Sequence, residues 1–181
     1  MNYWQGNNVR LRAIVKSDWE TLVAWDLNSE VGSHMHFLTP PQSPAAIEAF
    51  IEKETLKKFE NDCYFWIIEN LEGIAVGFID TRTDQRHGTF EYGISVAPEH
   101  GRKGYASEAI LLVAKYYFDH LRYQKLTAGV HSDNKASIKL HESLGFCLEG
   151  TIRNMIFKNG HYVNLHYYGF TLEEFRAKKD V

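Results

Sequence analysis

The hydrophobic pattern near the start of the chain predicts one strand followed by two helices. Apolar and charged residues alternate over residues 8–15, as expected for a strand with one buried face. The stretch Ser17 to Glu20 reads as a capping box, which predicts a helix that ends near residue 28. Residues 29–43 contain Gly, His and two adjacent prolines and predict a loop.

A second helix is predicted to begin at Ser43 and Pro44, because serine caps helices and proline fits their first turn. The residues expected on its inner side are Ile47, Phe50, Ile51 and Leu56. Three apolar runs joined by short polar turns follow and predict an antiparallel meander. These strands are expected at residues 63–69, 74–82 and 89–97.

In the second half of the chain, segments with the hydrophobic periodicity of a helix alternate with segments that have the periodicity of a strand. Residues 105–121 and 134–145 predict helices, the latter ending on Gly145 as its C-terminal cap, and residues 126–132 predict a strand between them. Two further apolar runs, residues 146–157 and 161–172, are joined at Lys-Asn-Gly and predict a closing hairpin. The order β-α-α-β-β-β-α-β-α-β-β predicts an α/β fold with about seven strands in a mixed, mostly antiparallel sheet and helices on both faces, forming a single domain over residues 1–181.

Composition narrows the classes of function. The net charge of −3 argues against generic nucleic-acid binding, which requires a basic surface. No apolar run is long enough to span a membrane and no apolar signal core is present, so we expect a cytoplasmic protein without a membrane partner. The two cysteines, Cys63 and Cys147, are expected to be buried free thiols, and no His or Cys spacing indicates a metal site.

The stretch PEHGRKGYASEA, residues 98–109, has the features of an anion-binding loop. A strand ends at Pro98, Gly101 and Gly104 permit tight turning, and a helix with unpaired first-turn amides begins at once. Arg102 and Lys103 add positive charge. The alternative is an ordinary turn with solvated cations. The stretch lacks the glycine order of nucleotide and dinucleotide loops, which favours a different diphosphate-bearing cofactor.

A second group of polar residues follows on the 134–145 helix. Asn134, Ser137 and His141 recur at positions i, i+3 and i+7 and therefore share one helix face. Asn134 and Ser137 could hydrogen-bond an extended ligand, although Asn134 equally fits the N-cap of the helix. His141 could donate a proton, although a single helical histidine often has only a structural role.

These residues together resemble the GNAT N-acetyltransferases, and most closely their RimJ/RimL-like branch, which also resembles spermidine N-acetyltransferases. The likeness covers nearly the whole chain. It rests on the strand, loop and helix around PEHGRKGYASEA, on Asn134-x-x-Ser137, and on Leu144-Gly145-Phe146 followed by Glu149-Gly150. It also includes the Asn159-Gly160-His161-Tyr162 turn and the opening stretch NVRLRAIVKSDWE.

The resemblance implies that the cofactor is acetyl-CoA, used as co-substrate without a metal. The family's loop pattern, Gln/Arg-x-x-Gly-x-Gly/Ala, places Gly104 and Ala106 at its last two positions. Its first position falls on Gly101, so Arg102 stands one place after the position of the family's arginine. The implied cofactor residues are Ile94, Ser95, Val96, Gly101, Arg102, Lys103, Gly104, Tyr105, Ala106, Asn134 and Ser137.

The resemblance also implies a direct transfer of the acetyl group to an amine. Glu91 stands where related sequences carry a glutamate that accepts the amine's proton, although it could equally face solvent or a cation. His141 stands where many members carry a tyrosine that protonates the departing thiolate. Ser137 is the alternative neighbour of the sulfur. A backbone N–H near residues 94–96 would stabilise the charge that develops on the carbonyl oxygen.

The acceptor site is expected between the 29–43 loop, the second helix and the 150–168 hairpin. Its candidate residues are His34, His36, Phe37, Asn154 and Tyr162. The acceptor class stays open among a protein N-terminus, a polyamine and another small amine, and a homodimer is compatible with the sequence. A binding module that senses acyl-CoA without turnover is the alternative function, and nucleotide binding unrelated to coenzyme A is disfavoured by the loop.

Overall fold

The structure is a computed structural model that describes residues 2–29, 40–57 and 60–179. Within these ranges the chain forms seven strands and four α-helices in the order predicted from the sequence, with one further α-helix at the end. The elements are β1 Val9–Arg12, α1 Trp19–Leu27, α2 Pro44–Thr55, β2 Phe65–Asn70, β3 Ala75–Asp84, β4 Thr89–Val96, α3 Tyr105–His120, β5 Lys125–His131, α4 Lys135–Leu144, β6 Cys147–Lys158, β7 His161–Thr171 and α5 Leu172–Lys179.

The strands form one sheet in the order β1-β2-β3-β4-β5-β7-β6. The pairs β1–β2, β2–β3, β5–β7 and β6–β7 are antiparallel, whereas β4 and β5 are parallel. The expected mixed, mostly antiparallel sheet flanked by helices is therefore confirmed. The parallel pairing of β4 with β5 joins only Thr89, Phe90 and Glu91 to residues 125–127.

The chain divides into two compact units, and each is described by itself. Unit 1 comprises Met1–Thr81 and Gly93–Val113, and unit 2 comprises Arg82–Tyr92 and Ala114–Val181. The single domain over residues 1–181 stays a prediction.

Unit 1 has an aliphatic core beneath α1 and α2. Ile14, Ile47, Ile51 and Ile67 are each at most 4% exposed and pack against partly buried aromatic side chains. Ile47 and Ile51 stand four positions apart on α2 and so occupy one face. The prediction was wrong for two other residues of this helix: Leu56 is 74% exposed because it lies past the last turn, and Phe50 is 37% exposed at the margin of the face.

Unit 2 has an aromatic core. Phe90 of β4 stacks on Tyr117 of α3 with ring centroids 4.2 Å apart, and Tyr123 closes the edge of this pair. Phe146 and Phe170 stack in the same way at 4.7 Å. Burying such rings removes large apolar areas from water, which is the main stabilising contribution to the unit.

Two predicted helix caps are confirmed, whereas the predicted start of α1 is wrong. Ser43 caps α2 by accepting a hydrogen bond from the amide of Ala46, and Gly145 ends α4 with a left-handed φ of 87°, both as expected. The capping box at Ser17 was wrong, since α1 begins at Trp19 after a short 3₁₀ turn over Lys16–Asp18. There Asp18 turns back to accept the amide of Val15 instead.

The C-terminal helix α5 was missed by the sequence analysis although a signal for it exists. Thr171 Oγ1 accepts a hydrogen bond from the amide of Glu174, and the carboxylate of Glu174 accepts the amide of Thr171. This is the reciprocal capping box of Thr-x-x-Glu, which the assignment of residues up to 172 to a strand had hidden.

The two cysteines are free, as expected, but they are not both buried. Cys63 is partly buried and Cys147 is exposed. Cys147 begins β6, whose first nine residues are all exposed. The prediction failed because β6 is the outermost strand of the sheet, where apolar residues in the sequence do not imply burial.

A charged network joins β1, β2 and the turn before α1 within unit 1. Arg12 donates from Nη1 and Nη2 to the two carboxylate oxygens of Asp18, both at 2.8 Å. The carboxylate of Glu69 accepts one hydrogen bond from Nε of Arg10 and another from Nε of Arg12. Burial by itself would raise the pKa of both carboxyl groups, but hydrogen bonds from the arginines outweigh it and hold each pKa below its ordinary value.

Replacing Arg12 with methionine is expected to lower the free energy of unfolding by about 3 kcal/mol, because Asp18 would remain buried without its cation. The matched control is Arg10→Met. The side chain of Arg10 is 50% exposed, so its loss should cost about 1 kcal/mol or less. Urea unfolding followed by circular dichroism measures both.

The pH dependence gives an independent check on the same network. A carboxyl group with a depressed folded-state pKa adds stability above its unfolded pKa of about 4, and that stability is lost as the pH falls through the folded-state pKa. The acid limb of the stability profile should therefore flatten in Arg12→Met. Equal losses in both arginine variants would contradict the central position of Arg12.

Candidate functional site

The loop before α3, in unit 1, has a backbone suited to binding an anion. Pro98–His100 form a 3₁₀ turn, and the chain then passes through left-handed φ values of 61° at Arg102 and 80° at Gly104. Gly101 has a φ of −63°, so of the two predicted turning glycines only Gly104 uses its special freedom. Arg102 takes up the other left-handed position, which is uncommon for a residue with a side chain.

The start of α3 leaves backbone donors available beside this loop. The first helical bond runs from the amide of Glu108 to the carbonyl of Gly104 at 3.1 Å. The amides of residues 105–107 consequently have no acceptor within the helix and carry the positive end of its dipole. The side chains of Arg102 and Lys103 are exposed.

A buried histidine atom lies in the turn that precedes the loop. Nδ1 of His100 is buried, and within residues 2–29, 40–57 and 60–179 it has no hydrogen-bond partner. Such an atom is rare in a folded protein unless a ligand or water satisfies it. The open amides at the start of α3, beside the exposed cations of the loop, suit an anion such as a diphosphate.

The end of β4 carries the predicted pantetheine-binding residues, also in unit 1. Ser95 is 8% exposed, and Ile94 and Val96 are partly buried. The backbone of β4 approaches β3 very closely here, since a Cβ added at Gly77 would lie 2.1 Å from the carbonyl oxygen of Ser95. A glycine at position 77 is therefore required by this contact.

Glu91 lies on β4 in unit 2 with its carboxylate partly open to solvent. The side chain is 46% exposed, and Oε1 accepts a hydrogen bond from Nε of Arg82 at 2.7 Å. The neighbouring Phe90 and Tyr92 are buried. Because successive strand side chains point to opposite faces, Glu91 projects away from the aromatic core of unit 2.

Tyr92 and His141 form a buried neutral pair in unit 2. The imidazole of His141 donates Nδ1–H to the carbonyl oxygen of Ser137 at 2.7 Å, so Nε2 is the acceptor for the Tyr92 hydroxyl, also at 2.7 Å. Burial lowers the pKa of His141 and raises the pKa of Tyr92. Both groups are therefore uncharged at neutral pH, and both ring nitrogens of His141 are occupied.

The predicted polar face of α4 is partly used by the helix itself. Asn134 caps α4, since its Oδ1 accepts the amide of Ser137 at 3.0 Å. The hydroxyl of Ser137 lies 3.4 Å from Nδ1 of His141. Asn134 therefore has the N-cap role that the sequence offered as the alternative to ligand binding. Tyr92 was missed in the sequence analysis because it precedes His141 by 49 residues and no local pattern joins them.

The predicted acceptor residues fall into two groups. His34, His36 and Phe37 lie outside the described residues. Asn154 and Tyr162 lie on the β6–β7 hairpin and are both exposed. Asn154 has a left-handed φ of 51° at a register shift, and its amide donates to Oδ1 of Asn164 at 3.0 Å. Tyr162 packs its ring 5.1 Å from that of Phe157.

Within residues 2–29, 40–57 and 60–179 there is no group of three or more His, Cys, Asp or Glu side chains placed to hold a metal ion. No helix of the described chain is both long and apolar enough to cross a bilayer.

Comparison with known proteins places these features in a family. Residues 8–147 match the family described as Acetyltransferase (GNAT) domain. The chain is 37% identical over 177 residues to the SPbeta prophage-derived uncharacterized N-acetyltransferase YokL of Bacillus subtilis strain 168, covering 97% of this chain and 96% of that one. It is 28% identical over 161 residues to the spermidine N(1)-acetyltransferase of Escherichia coli K12, covering 87% and 83% of the two chains.

A solved structure shows the same fold. The spermidine N-acetyltransferase of Vibrio cholerae, in complex with CoA and spermine, superposes with a TM-score of 0.81 at 24% identity, covering 93% of this chain and 98% of that one. The family match spans more than half of the chain, and the relative from Bacillus subtilis matches along nearly all of it. The chain therefore belongs to the GNAT family and is an acetyl-CoA-dependent N-acetyltransferase.

Proposed function

We propose that this enzyme acetylates a primary alkylamine, with polyamines as the preferred class, by direct attack of the amine on the thioester. The observation that best supports binding of acetyl-CoA is the backbone conformation of the loop, in which the left-handed residues Arg102 and Gly104 lie beside the open amides of α3. The sequence motifs support a place in the RimJ/RimL-like branch. A cytoplasmic location and a homodimer stay predictions.

Cofactor binding is proposed to rest mainly on backbone groups. The amides of residues 102–106 would contact the diphosphate, whereas the amide of Gly101 is bonded to the carbonyl of Pro98. Arg102 and Lys103 would supply exposed positive charge. The backbone of residues 94–96 would pair with the pantetheine arm, and Asn134 and Ser137 are proposed as further contacts. Acetyl-CoA supplies the activated acetyl group.

Glu91 is proposed as the base. A free alkylamine has a pKa of about 10.4, so it is protonated at neutral pH and must lose a proton before it can attack. Glu91 has a carboxylate that is accessible to solvent and held in one orientation by Arg82. It could accept the proton directly or through one water molecule.

The geometry of His141 favours a positioning role over its predicted role as proton donor. Its lowered pKa keeps the ring neutral, and its remaining proton is bound to the carbonyl of Ser137. We therefore propose that His141 orients the hydroxyl of Tyr92 and that the thiolate leaves as an anion. Ser137 remains the proposed neighbour of the sulfur on α4.

The preference for polyamines is supported by relatives named spermidine N(1)-acetyltransferase. A spermidine N(1)-acetyltransferase matches this chain over most of both sequences. The proposed contacts to the acceptor are Asn154 and Tyr162 on the hairpin and His34, His36 and Phe37. A polyamine combines cationic and methylene groups, which suits a surface with both an amide and an aromatic ring such as these.

The acceptor proposal is tested by a screen that follows thiol release from acetyl-CoA. Spermidine and spermine are expected to give the highest kcat/KM, above simple monoamines, free amino acids and a peptide with a free N-terminus. Turnover of the peptide without turnover of the polyamines would overturn the proposed acceptor. Tight CoA binding without turnover of any amine would overturn the proposed reaction.

The backbone mechanism of the loop predicts unequal losses from two substitutions. Gly104→Val should weaken CoA binding by about a hundredfold, because a β-branched residue is strained at a φ of 80° although the space there is free. Arg102→Ala removes one exposed cation and should weaken binding by less than about tenfold. Isothermal titration with CoA measures both.

Arg102→Gly serves as the control for this comparison. It removes the same charge while glycine adopts the left-handed φ of 61° without strain. It should therefore bind at least as well as Arg102→Ala. Comparable losses in Arg102→Ala and Gly104→Val would contradict binding through the backbone.

The base role predicts that Glu91→Gln lowers kcat by about a hundredfold near neutral pH. Activity should recover as the pH rises toward the amine pKa of about 10.4, because more of the amine is then already neutral. The measurement is a pH–rate profile with a polyamine acceptor. Arg82→Met is the matched control, since it breaks the same ion pair but leaves the carboxylate in place.

If the Glu91–Arg82 pair had only a structural role, the two variants would lose activity alike. A pH profile of Glu91→Gln parallel to that of the wild type would equally contradict the base role.

A further inference from the structure

Glu108 is the fourth residue of α3 and makes contacts that the sequence analysis did not anticipate. Its Oε1 accepts the amide of Asn7 at 2.6 Å, and its Oε2 accepts the amides of Asn8 at 2.7 Å and Val9 at 3.0 Å. The partners are about a hundred residues away in the sequence. All four residues belong to unit 1.

The N-terminal segment is shaped around this carboxylate. A Cβ added at Gly6 would lie 2.4 Å from Cδ and Oε1 of Glu108, so only glycine leaves the carboxylate in its place. The amide of Gly6 donates to the carbonyl of Val9 at 2.8 Å, which folds the segment back on itself. Val9 is fully buried and begins β1, which anchors the segment in the sheet.

The same residue closes the first turn of the helix. The amide of Glu108 makes the first helical bond of α3, to the carbonyl of Gly104. Gly104 is one of the two left-handed residues of the loop, and the open amides of residues 105–107 lie within this turn. The side chain and the backbone of Glu108 therefore connect the N-terminal segment to the turn that presents these amides.

We infer that Glu108 is a positioning residue for the cofactor loop, because it fixes the first turn of α3 against residues 6–9. This inference rests on the proposed binding of the diphosphate by the loop. Glu108 does not need to touch the cofactor. It holds the amide donors of residues 104–107 in one orientation, so that binding does not have to order them.

Charge and position predict opposite effects when this carboxylate is removed. A negative charge in the first turn of α3 repels a bound diphosphate, so by charge alone Glu108→Gln would tighten CoA binding. Loss of the contacts to Asn7, Asn8 and Val9 would instead loosen the loop and weaken binding. The sign of the change in Kd therefore separates the two effects.

The experiment compares three variants by isothermal titration with CoA. Glu108→Gln should weaken binding by about tenfold. The glutamine side chain has one acceptor oxygen, and its NH2 group cannot accept the N–H groups that the second carboxylate oxygen accepted. Gly6→Ala should weaken binding in the same direction without changing any charge, because the added methyl group displaces the carboxylate. Glu99→Gln, which removes a charge from the exposed turn before the loop, is the control and should bind CoA as tightly as the wild type or more tightly.

A second readout distinguishes positioning from a general loss of structure. S-acetylpantetheine lacks the diphosphate, so its kcat/KM should be the same in the wild type, Glu108→Gln and Gly6→Ala. A double-mutant cycle between Gly6→Ala and Glu108→Gln should give a smaller combined loss of affinity than the sum of the single losses, because both changes break one contact.

Unchanged or tighter CoA binding in Glu108→Gln would overturn the inference. Equal losses with CoA and with S-acetylpantetheine would also overturn it, since the effect would not be confined to the diphosphate loop. Failure of the wild-type enzyme to bind CoA would instead overturn the proposed cofactor role of the loop, and the two failures are thereby distinguished.

Discussion

The backbone amides at the start of α3 are the constraint on which much of unit 1 depends. A helix cannot satisfy its own first N–H groups, so the protein must supply an acceptor, expose them to water or bind an anion. Here the loop before the helix keeps them open, with Arg102 and Gly104 in left-handed conformations. The glutamate of the same turn is drawn to the amides of residues 7–9 instead of its own helix end. One helix terminus thereby organises both a candidate binding loop and the N-terminal segment.

The polar side chains of unit 2 lie in two different environments. Tyr92 and His141 are buried and hydrogen-bonded to each other, and burial keeps both neutral by lowering the pKa of His141 and raising that of Tyr92. The side chain of Glu91, one position before Tyr92, points to the other face of β4, where it is 46% exposed and accepts a hydrogen bond from Arg82. The period of two along a strand thus separates a solvent-accessible carboxyl group from a buried pair over a single residue. This contrast is why Glu91 is the better candidate for proton transfer.

The exchanged order of Gly101 and Arg102 has a structural explanation. The family pattern suggested that an arginine contact was displaced by one position. In the structure Gly101 has an ordinary φ, and Arg102 itself adopts the left-handed conformation that a glycine would favour. Residue 102 therefore makes this left-handed turn with an arginine and not with a glycine. Recognition through amides tolerates such an exchange, because each residue other than proline offers the same donor.

The sequence by itself determined the order of strands and helices, the Ser43 and Gly145 caps and the mixed sheet, because these follow from local periodicity and capping chemistry. It could also have supplied α5, whose Thr171–Glu174 capping box is local. Only the tertiary structure decided the exposure of Cys147 and the partners of Glu108 and His141. These features depend on which strand lies at the sheet edge and on contacts between residues 49 to 101 positions apart, and no local pattern encodes such contacts.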